Sequence, residues 1–288
     1  MKKKQKWTVF SVLGLLILLL FAAICIAPFI YMTIMSFTQS TTLMLHWSDI
    51  NFGDFTNFNY VLKKTGFIRA LTNSVIVVFC SCLFNCIIAS MAAYGFAKKK
   101  FPGSKAIFRI YLLTLMIPGQ VTMIPVFIMM NKAGLTNTYF ALIVVILNAF
   151  GVFLIRQFMD TVPDELLEAA KVDGCPEYRI FIQIVIPLIK PVLISLVVFT
   201  FVTSWNDFLW PLVSTSNSDM YTLTVALSLL KTQYQTNYGL IMAGATVSFL
   251  FPFIMYVFLQ KQFVEGIALS GITVSYTHLR AHETTLHL

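Results

Sequence analysis

Half of the chain's twelve carboxylates crowd into one stretch, with Asp160, Asp164, Glu165, Glu168, Asp173 and Glu177 all lying between Arg156 and Lys190. Acids at that density in an otherwise charge-poor chain must stay wet or meet another protein. Other groups with chemical potential are scattered. Asp207, flanked by Trp205, Asn206 and Trp210, is a single acid within an apolar neighbourhood. Cys82 and Cys86 are one helical turn apart, as are His278 and His282. A tetrahedral metal site takes about four ligands: Cys80 shares the helix of Cys82 and Cys86 but no His lies nearby, and the histidine pair has no clear third ligand, so small apolar packing suits the cysteines better. No phosphate-binding G-x-x-x-x-G-K-[ST] loop is present. Gly103-Ser104-Lys105 lacks the upstream glycine, so this chain is not expected to hydrolyse ATP.

The acidic segment has a readable local structure. Pro163 suits the first helical position, and Asp164 and Glu165 complement the positive end of the dipole. ELLEAAK continues with strong helix formers. Gly174 is placed to end the helix in a left-handed conformation, and Pro176 prevents continuation. A second helix should begin near Glu177, with Tyr178, Phe181, Ile182 and Val185 forming one apolar face at i, i+3, i+4, i+7 spacing. Pro187 and Pro191 then interrupt the chain again. Ala169 and Ala170 keep one side of the first helix shallow, so that another protein's backbone can approach, and Glu168 brings a charge to that contact.

The elements around this segment are set by the rest of the composition. Of 288 residues, 58% are hydrophobic and 11% charged, against about 25% charged in soluble domains. Uncharged windows run over 7–45, 70–97, 110–131, 133–155, 191–206 and 232–260. About 20 apolar residues cross a bilayer core as a helix, and backbone in lipid must pair internally. The expected fold is therefore an all-α membrane protein with six transmembrane helices. Placing the N-terminus inside puts fifteen of the twenty Lys and Arg residues on the cytoplasmic side, with both termini and the 156–190 segment there as well. The net charge of +8 thus reports topology, and a nucleic-acid partner is not expected. The first apolar run is too long for a cleaved signal core and reads as an anchor.

The expected organisation is a cytoplasmic N-terminus over 1–8, a first span over 9–35, an extracytoplasmic loop over 36–68, and a core of five spans over 69–265. The 36–68 loop holds Trp47, Phe52, Phe55, Phe58 and Tyr60, which suit either an interfacial aromatic belt or a platform for an external partner. Lys98-Lys99-Lys100 anchors a cytoplasmic turn, each Lys worth about 1 kcal/mol near anionic lipid. Pro118 and Pro125 should kink the third helix.

The acidic segment also carries a resemblance. Glu168-Ala169-Ala170, Asp173-Gly174, Phe181, Ile184, Pro187 and Pro191 resemble the EAA loop of ABC import permeases. LTNS (71–74), YGFAKKKFPG (94–103), WNDFLWPL (205–212), YTL (221–223) and GIALSGIT (266–273) are similar to the maltose-type carbohydrate branch. Cys175 departs from the alanine usual after the glycine, a small-for-small change. The resemblance, covering roughly residues 5–273, implies a type I ABC importer permease fold in a bacterial-type inner membrane. It also implies a heterodimer with a second permease subunit, two cytoplasmic ABC ATPase subunits and an extracytoplasmic sugar-binding protein. Glu168, Ala169, Ala170, Asp173 and Gly174 would meet the ATPase. No cofactor is implied.

Asn148, Trp205, Asn206 and Asp207 are candidates for the translocation path, because sugars need hydrogen-bond partners and aromatic faces; an interhelical polar contact is the competing reading, and Asn73 and Asn85 share the ambiguity. An ion-coupled secondary transporter of small polar solutes would need ionisable groups at the midplane, and none is evident. Neither that class nor a non-transporting scaffold accounts for the acidic loop. Residues 274–288, with His278, His282 and His287, read as a non-native tail joined by a foreign reading frame.

Overall fold

The computed structural model describes residues 9–258 and 260, and among these it is helical with no strand. The helices are α1 (Val9–Met35), α2 (Thr56–Lys64), α3 (Phe67–Lys98), α4 (Ser104–Leu113), α5 (Gly119–Lys132), α6 (Tyr139–Val144) and α7 (Ala149–Met159). They continue as α8 (Asp164–Val172), α9 (Glu177–Leu188), α10 (Lys190–Trp205), α11 (Leu209–Ser214), α12 (Leu223–Gln233) and α13 (Tyr238–Phe258). The 274–288 tail lies outside the described residues.

Three helices are long and apolar enough to cross a membrane unaided: Ser11–Met35 within α1, α3 and α13, with mean hydropathies of 2.9, 2.4 and 2.0. The 110–131 window, expected as one kinked helix, is instead two helices meeting at 103°. The reason is local. Ile117 and Pro118 are extended, with ψ of 115° and 131°, and Pro118 has no N–H with which to carry the helix through. Pro125 stays inside α5 and Pro28 inside α1. A second break of 77° separates α9 from α10, beside Pro187 and Pro191. The 133–155 window is also divided, into α6 and α7. Thr138 caps the first, accepting from the Ala141 N–H at 3.2 Å, and Asn148 caps the second. Window counting misses such breaks because it sees composition, not the direction of the backbone.

The chain divides into two compact units, one within Met1–Ile68 and Ala226–Phe251, the other within Arg69–Val225 and Pro252–Leu288. In the first, buried Asn57 donates from Nδ2 to the carbonyls of Ser36 (3.0 Å) and Thr38 (2.7 Å). Gly239 lies against the same strand of backbone, and a Cβ there would stand 1.9 Å from the Thr38 oxygen, so no larger residue fits. The aromatics of the 36–68 loop part company. Phe52, Phe55 and Phe58 pack their rings on Phe37 at 5.1–5.6 Å, whereas Trp47 stands exposed.

The second unit has its largest core where α3, α7, α8, α9 and α10 meet. Ala89, Ala93, Val152, Ile155, Leu167, Ile180, Val185, Ile189 and Leu196 are buried together there. Gly151 lets α7 approach closely: a Cβ would meet Asn85 Oδ1 and Leu196 Cδ1 at 3.1 Å. Asn85 donates to Thr200 Oγ1 at 2.9 Å, and Asn73 donates to the carbonyls of Asp219 (2.7 Å) and Tyr221 (2.9 Å). Both asparagines therefore act as buried ties between segments. Cys82 and Cys86 point their Sγ atoms toward the Val197 and Leu193 carbonyls, and no metal-holding group of His, Cys, Asp and Glu occurs among the described residues.

Candidate functional site

The acidic segment folds as helix, stop and second helix. Pro163 occupies the N-cap of α8, one position earlier than its sequence context suggests, so that Asp164 and Glu165 fill the first turn and Lys171 the last. The stop is a Schellman arrangement. Gly174 takes φ +75°, its N–H bonds to the Lys171 carbonyl at 3.0 Å, and the Cys175 N–H reaches the Ala170 carbonyl at 2.9 Å. No neighbouring atom lies within 4 Å of a Cβ built on Gly174. The requirement for glycine is conformational and leaves the outer surface of the turn open.

Burial sorts the five loop candidates. Leu167 and Ala170 turn into the unit's own core, while Glu168, Ala169, Asp173 and Gly174 lie exposed. This corrects the expectation that both alanines face outward. Ala170 is small because the core needs it so, and Ala169 alone thins the outer face. Beside it, Val172 is 89% exposed, an apolar side chain at the tip of an acidic helix that the sequence reading passed over.

The second helix also differs from the expected pattern. Tyr178 and Ile182 are exposed, and the buried positions are Ile180, Val185 and Ile189. Their spacings of five and four residues follow from a wide π turn over Phe181–Val185, which takes more residues per turn than the α-helix assumed for the i, i+3, i+4, i+7 pattern.

Two consecutive lysines at the end of α3 hold the loop. Lys98 Nζ pairs with Asp164 Oδ1 at 2.8 Å and donates to the Val162 carbonyl at 2.6 Å. The Lys98 side chain is 7% exposed and that of Asp164 72%, so the buried ammonium is satisfied at the rim. Lys98 draws the Asp164 carboxyl below its ordinary 3.8, first through the hydrogen bond and then through its charge. Lys99 pairs with Glu177, which also accepts from the Tyr94 hydroxyl. One α3 terminus thus grips the first turns of both loop helices. The sequence hinted at this only through a Lys run and a distant acid cluster, Asp164 lying 66 residues beyond Lys98.

The translocation candidates are not all brought together. Asn206 and Asp207 line a cavity of about 420 Å³ with Gly119, Gln120 and Thr122 from the start of α5, and with Trp210. Asn206 donates from Nδ2 to its own helix at Val202 O (2.9 Å), and Asp207 Oδ1 accepts the Trp210 N–H at 3.4 Å. The Asp207 carbonyl accepts from Thr224 at 2.7 Å, and Trp210 Nε1 donates to Ala141 O at 2.9 Å. Trp205 is buried and stacks on Phe201 at 6.0 Å, outside that lining. Asn148 caps α7 through Phe150 N at 3.1 Å and does not line it either. Gln120 and Thr122 were missed in sequence because they sit in a window read only for hydropathy. The Pro118 break is what turns them toward the cavity.

The described residues are all helical, with apolar helices long enough to span a membrane, and comparison with known proteins identifies the class. The model of the binding-protein-dependent transport system inner membrane component family matches residues 85–268, and the chain belongs to that family of ABC importer permeases. It is 36% identical over 261 residues to the arabinooligosaccharides transport system permease protein AraQ of Halalkalibacterium halodurans, covering 87% of this chain and 92% of the relative. It is 34% identical to the lactose transport system permease protein LacG of Rhizobium radiobacter, covering 87% and 92%. Among solved structures, a bacterial ABC transporter importing the acidic polysaccharide alginate matches with a TM-score of 0.76 at 24% identity, over 88% of this chain and 96% of that one. That likeness gives the type I ABC importer permease fold. The chain is accordingly a transport subunit rather than an enzyme, and a component of the membrane.

Proposed function

We propose that this chain is one of two permease subunits of an ATP-driven sugar importer, which receives its solute from an extracytoplasmic binding protein. It would dock on a cytoplasmic ABC ATPase through α8 and its glycine stop. Relatives named for arabinooligosaccharide and lactose transport support a sugar as solute. An alginate ABC transporter of similar fold, solved with an alginate-pentasaccharide-bound periplasmic protein, supports the external partner. The Lys and Arg distribution supports cytoplasmic placement of both termini and of the loop. Six passages are reached if each bent helix pair is one span and α6 with α7 makes another.

The observation that carries the docking role is the loop's double anchorage. Its outer face is exposed at Glu168, Ala169, Asp173 and Gly174, while Lys98 and Lys99 fasten its inner side to the end of α3. A push delivered at α8 therefore reaches a 32-residue helix without passing through a slack linker. The binding protein's solute would then pass the Asn206–Asp207 cavity as the helices move.

The test is to express Glu168→Lys in the assembled importer and measure both ATPase co-purification and ATP-dependent sugar uptake in vesicles. Docking predicts that both fall together. Retention of the ATPase with undiminished uptake would overturn it.

A further inference from the structure

The basic turn between α3 and α4 holds more positive charge than the loop uses. A cavity of about 820 Å³ opens there, and its charged lining residues are Lys99, Lys100, Lys105 and Arg156, with no carboxylate among them. Lys99 is committed to Glu177. Lys100, Lys105 and Arg156 make no ion pair among the described residues. Arg156 lies over the Phe108 ring, its guanidinium carbon 4.1 Å from the centroid, and its Nε is buried with no hydrogen-bond partner. A buried cationic N–H without an acceptor is costly, and an anion held in the cavity would supply that acceptor.

The anion's class follows from the donors. A planar guanidinium fork with two flexible ammonium groups suits a phosphate. Its source follows from position. The cavity lies at the polar end of a 32-residue apolar helix. Phe101, Ile107 and Ile110, beside or just beyond it, expose apolar side chains. Cations next to exposed apolar surface at a helix end match the boundary between a lipid headgroup and its chains.

We propose that this cavity binds the phosphate headgroup of an anionic lipid, held by Arg156, Lys100 and Lys105, with its chains over the exposed apolar side of α4. Lipid bound here would sit beside Lys99, one residue from the Lys98–Asp164 pair that fastens the loop.

The experiment is native mass spectrometry of the full chain in mild detergent, titrated separately with phosphatidylglycerol, phosphatidylcholine and inorganic phosphate. One phosphatidylglycerol should be retained in preference to phosphatidylcholine. Lys100→Gln with Lys105→Gln should weaken it about thirtyfold, at roughly a tenfold-scale effect per 1.4 kcal/mol and about 1 kcal/mol per Lys. Lys100→Arg with Lys105→Arg, and Lys132→Gln outside the cavity, should retain it. Arg156→Lys, which keeps the charge and loses the fork, should fall between. Equal retention of both lipids, or unchanged binding in the double Gln variant, would overturn the proposal. Inorganic phosphate that binds as tightly as the lipid would overturn the lipid source and leave an adventitious ion only.

Discussion

The α8–α9 loop and the Asn206–Asp207 cavity both depart from an apolar background, yet they use polar groups in opposite ways. In the loop, carboxylates and lysines are paired at the rim, Lys98 with Asp164 and Lys99 with Glu177, and the outer face is left bare. Around the cavity, polar side chains spend themselves on nearby backbone: Asn206 on Val202, Asp207 on the Trp210 N–H. The loop's pairs join segments far apart in the chain. At the cavity the Asn206 and Asp207 side chains bond only within four residues, and the longer ties to Ala141 and Thr224 are made by Trp210 and by the Asp207 carbonyl. The first arrangement suits force transmission, and the second suits brief contact with a passing solute.

The sharpest way to break this contrast is at Gly174. Gly174→Val puts a β-branched residue at φ +75°, at a cost of about 1–2 kcal/mol or more. Because the turn shapes the outer face, ATPase co-purification should fall at least tenfold while the purified chain keeps its helical circular dichroism. A weaker effect is expected from Lys98→Asp. It should reduce uptake by up to about tenfold, because it puts a carboxylate in the buried seat of the Lys98 ammonium, against the Val162 carbonyl and beside Asp164, and the exchange Lys98→Asp with Asp164→Lys should recover part of it. No recovery would mean that the pair is incidental.

At the cavity, Asp207→Asn and Gln120→Ala should leave ATPase docking intact and change the apparent KM for sugar by up to about tenfold, as expected of one hydrogen bond. If docking fell instead, the two regions would not be separable. The smallest expected effect is on titration. Carbodiimide labels protonated carboxyls, so the labelling midpoint of Asp164 should lie below that of an ordinary carboxylate. In Lys98→Gln the midpoint should move up, because the ammonium's hydrogen bond and charge, which favour ionisation, have gone.

Local signals were legible in sequence and distant ones were not. Gly174 and Pro176 declared a helix stop because a left-handed residue followed by a ring without an N–H leaves few alternatives. Pro118 declared an interruption, but nothing in composition distinguishes a modest kink from the 103° turn that swings Gln120 and Thr122 to the cavity. Lys98 and Lys99 read as a topological anchor, since a charge run contains no statement of which acids it will meet across the fold. Ala170 reads as outward because helix spacing alone does not say which side the core will claim. Asn73 and Asn85 were ambiguous for the same reason, and the structure uses both as internal ties.

The wide turn over Phe181–Val185 has a consequence for the phase of everything after it. A helix is a screw, and each residue advances its side chains by about 100°. By fitting one more residue between Ile180 and Val185 than an α-turn would, the π segment resets the azimuth of Ile189 so that it returns to the buried side. Deleting one residue between 181 and 185 should therefore be tolerated better than deleting one in α10, where there is no such slack and the whole apolar face would be rotated away from its partners.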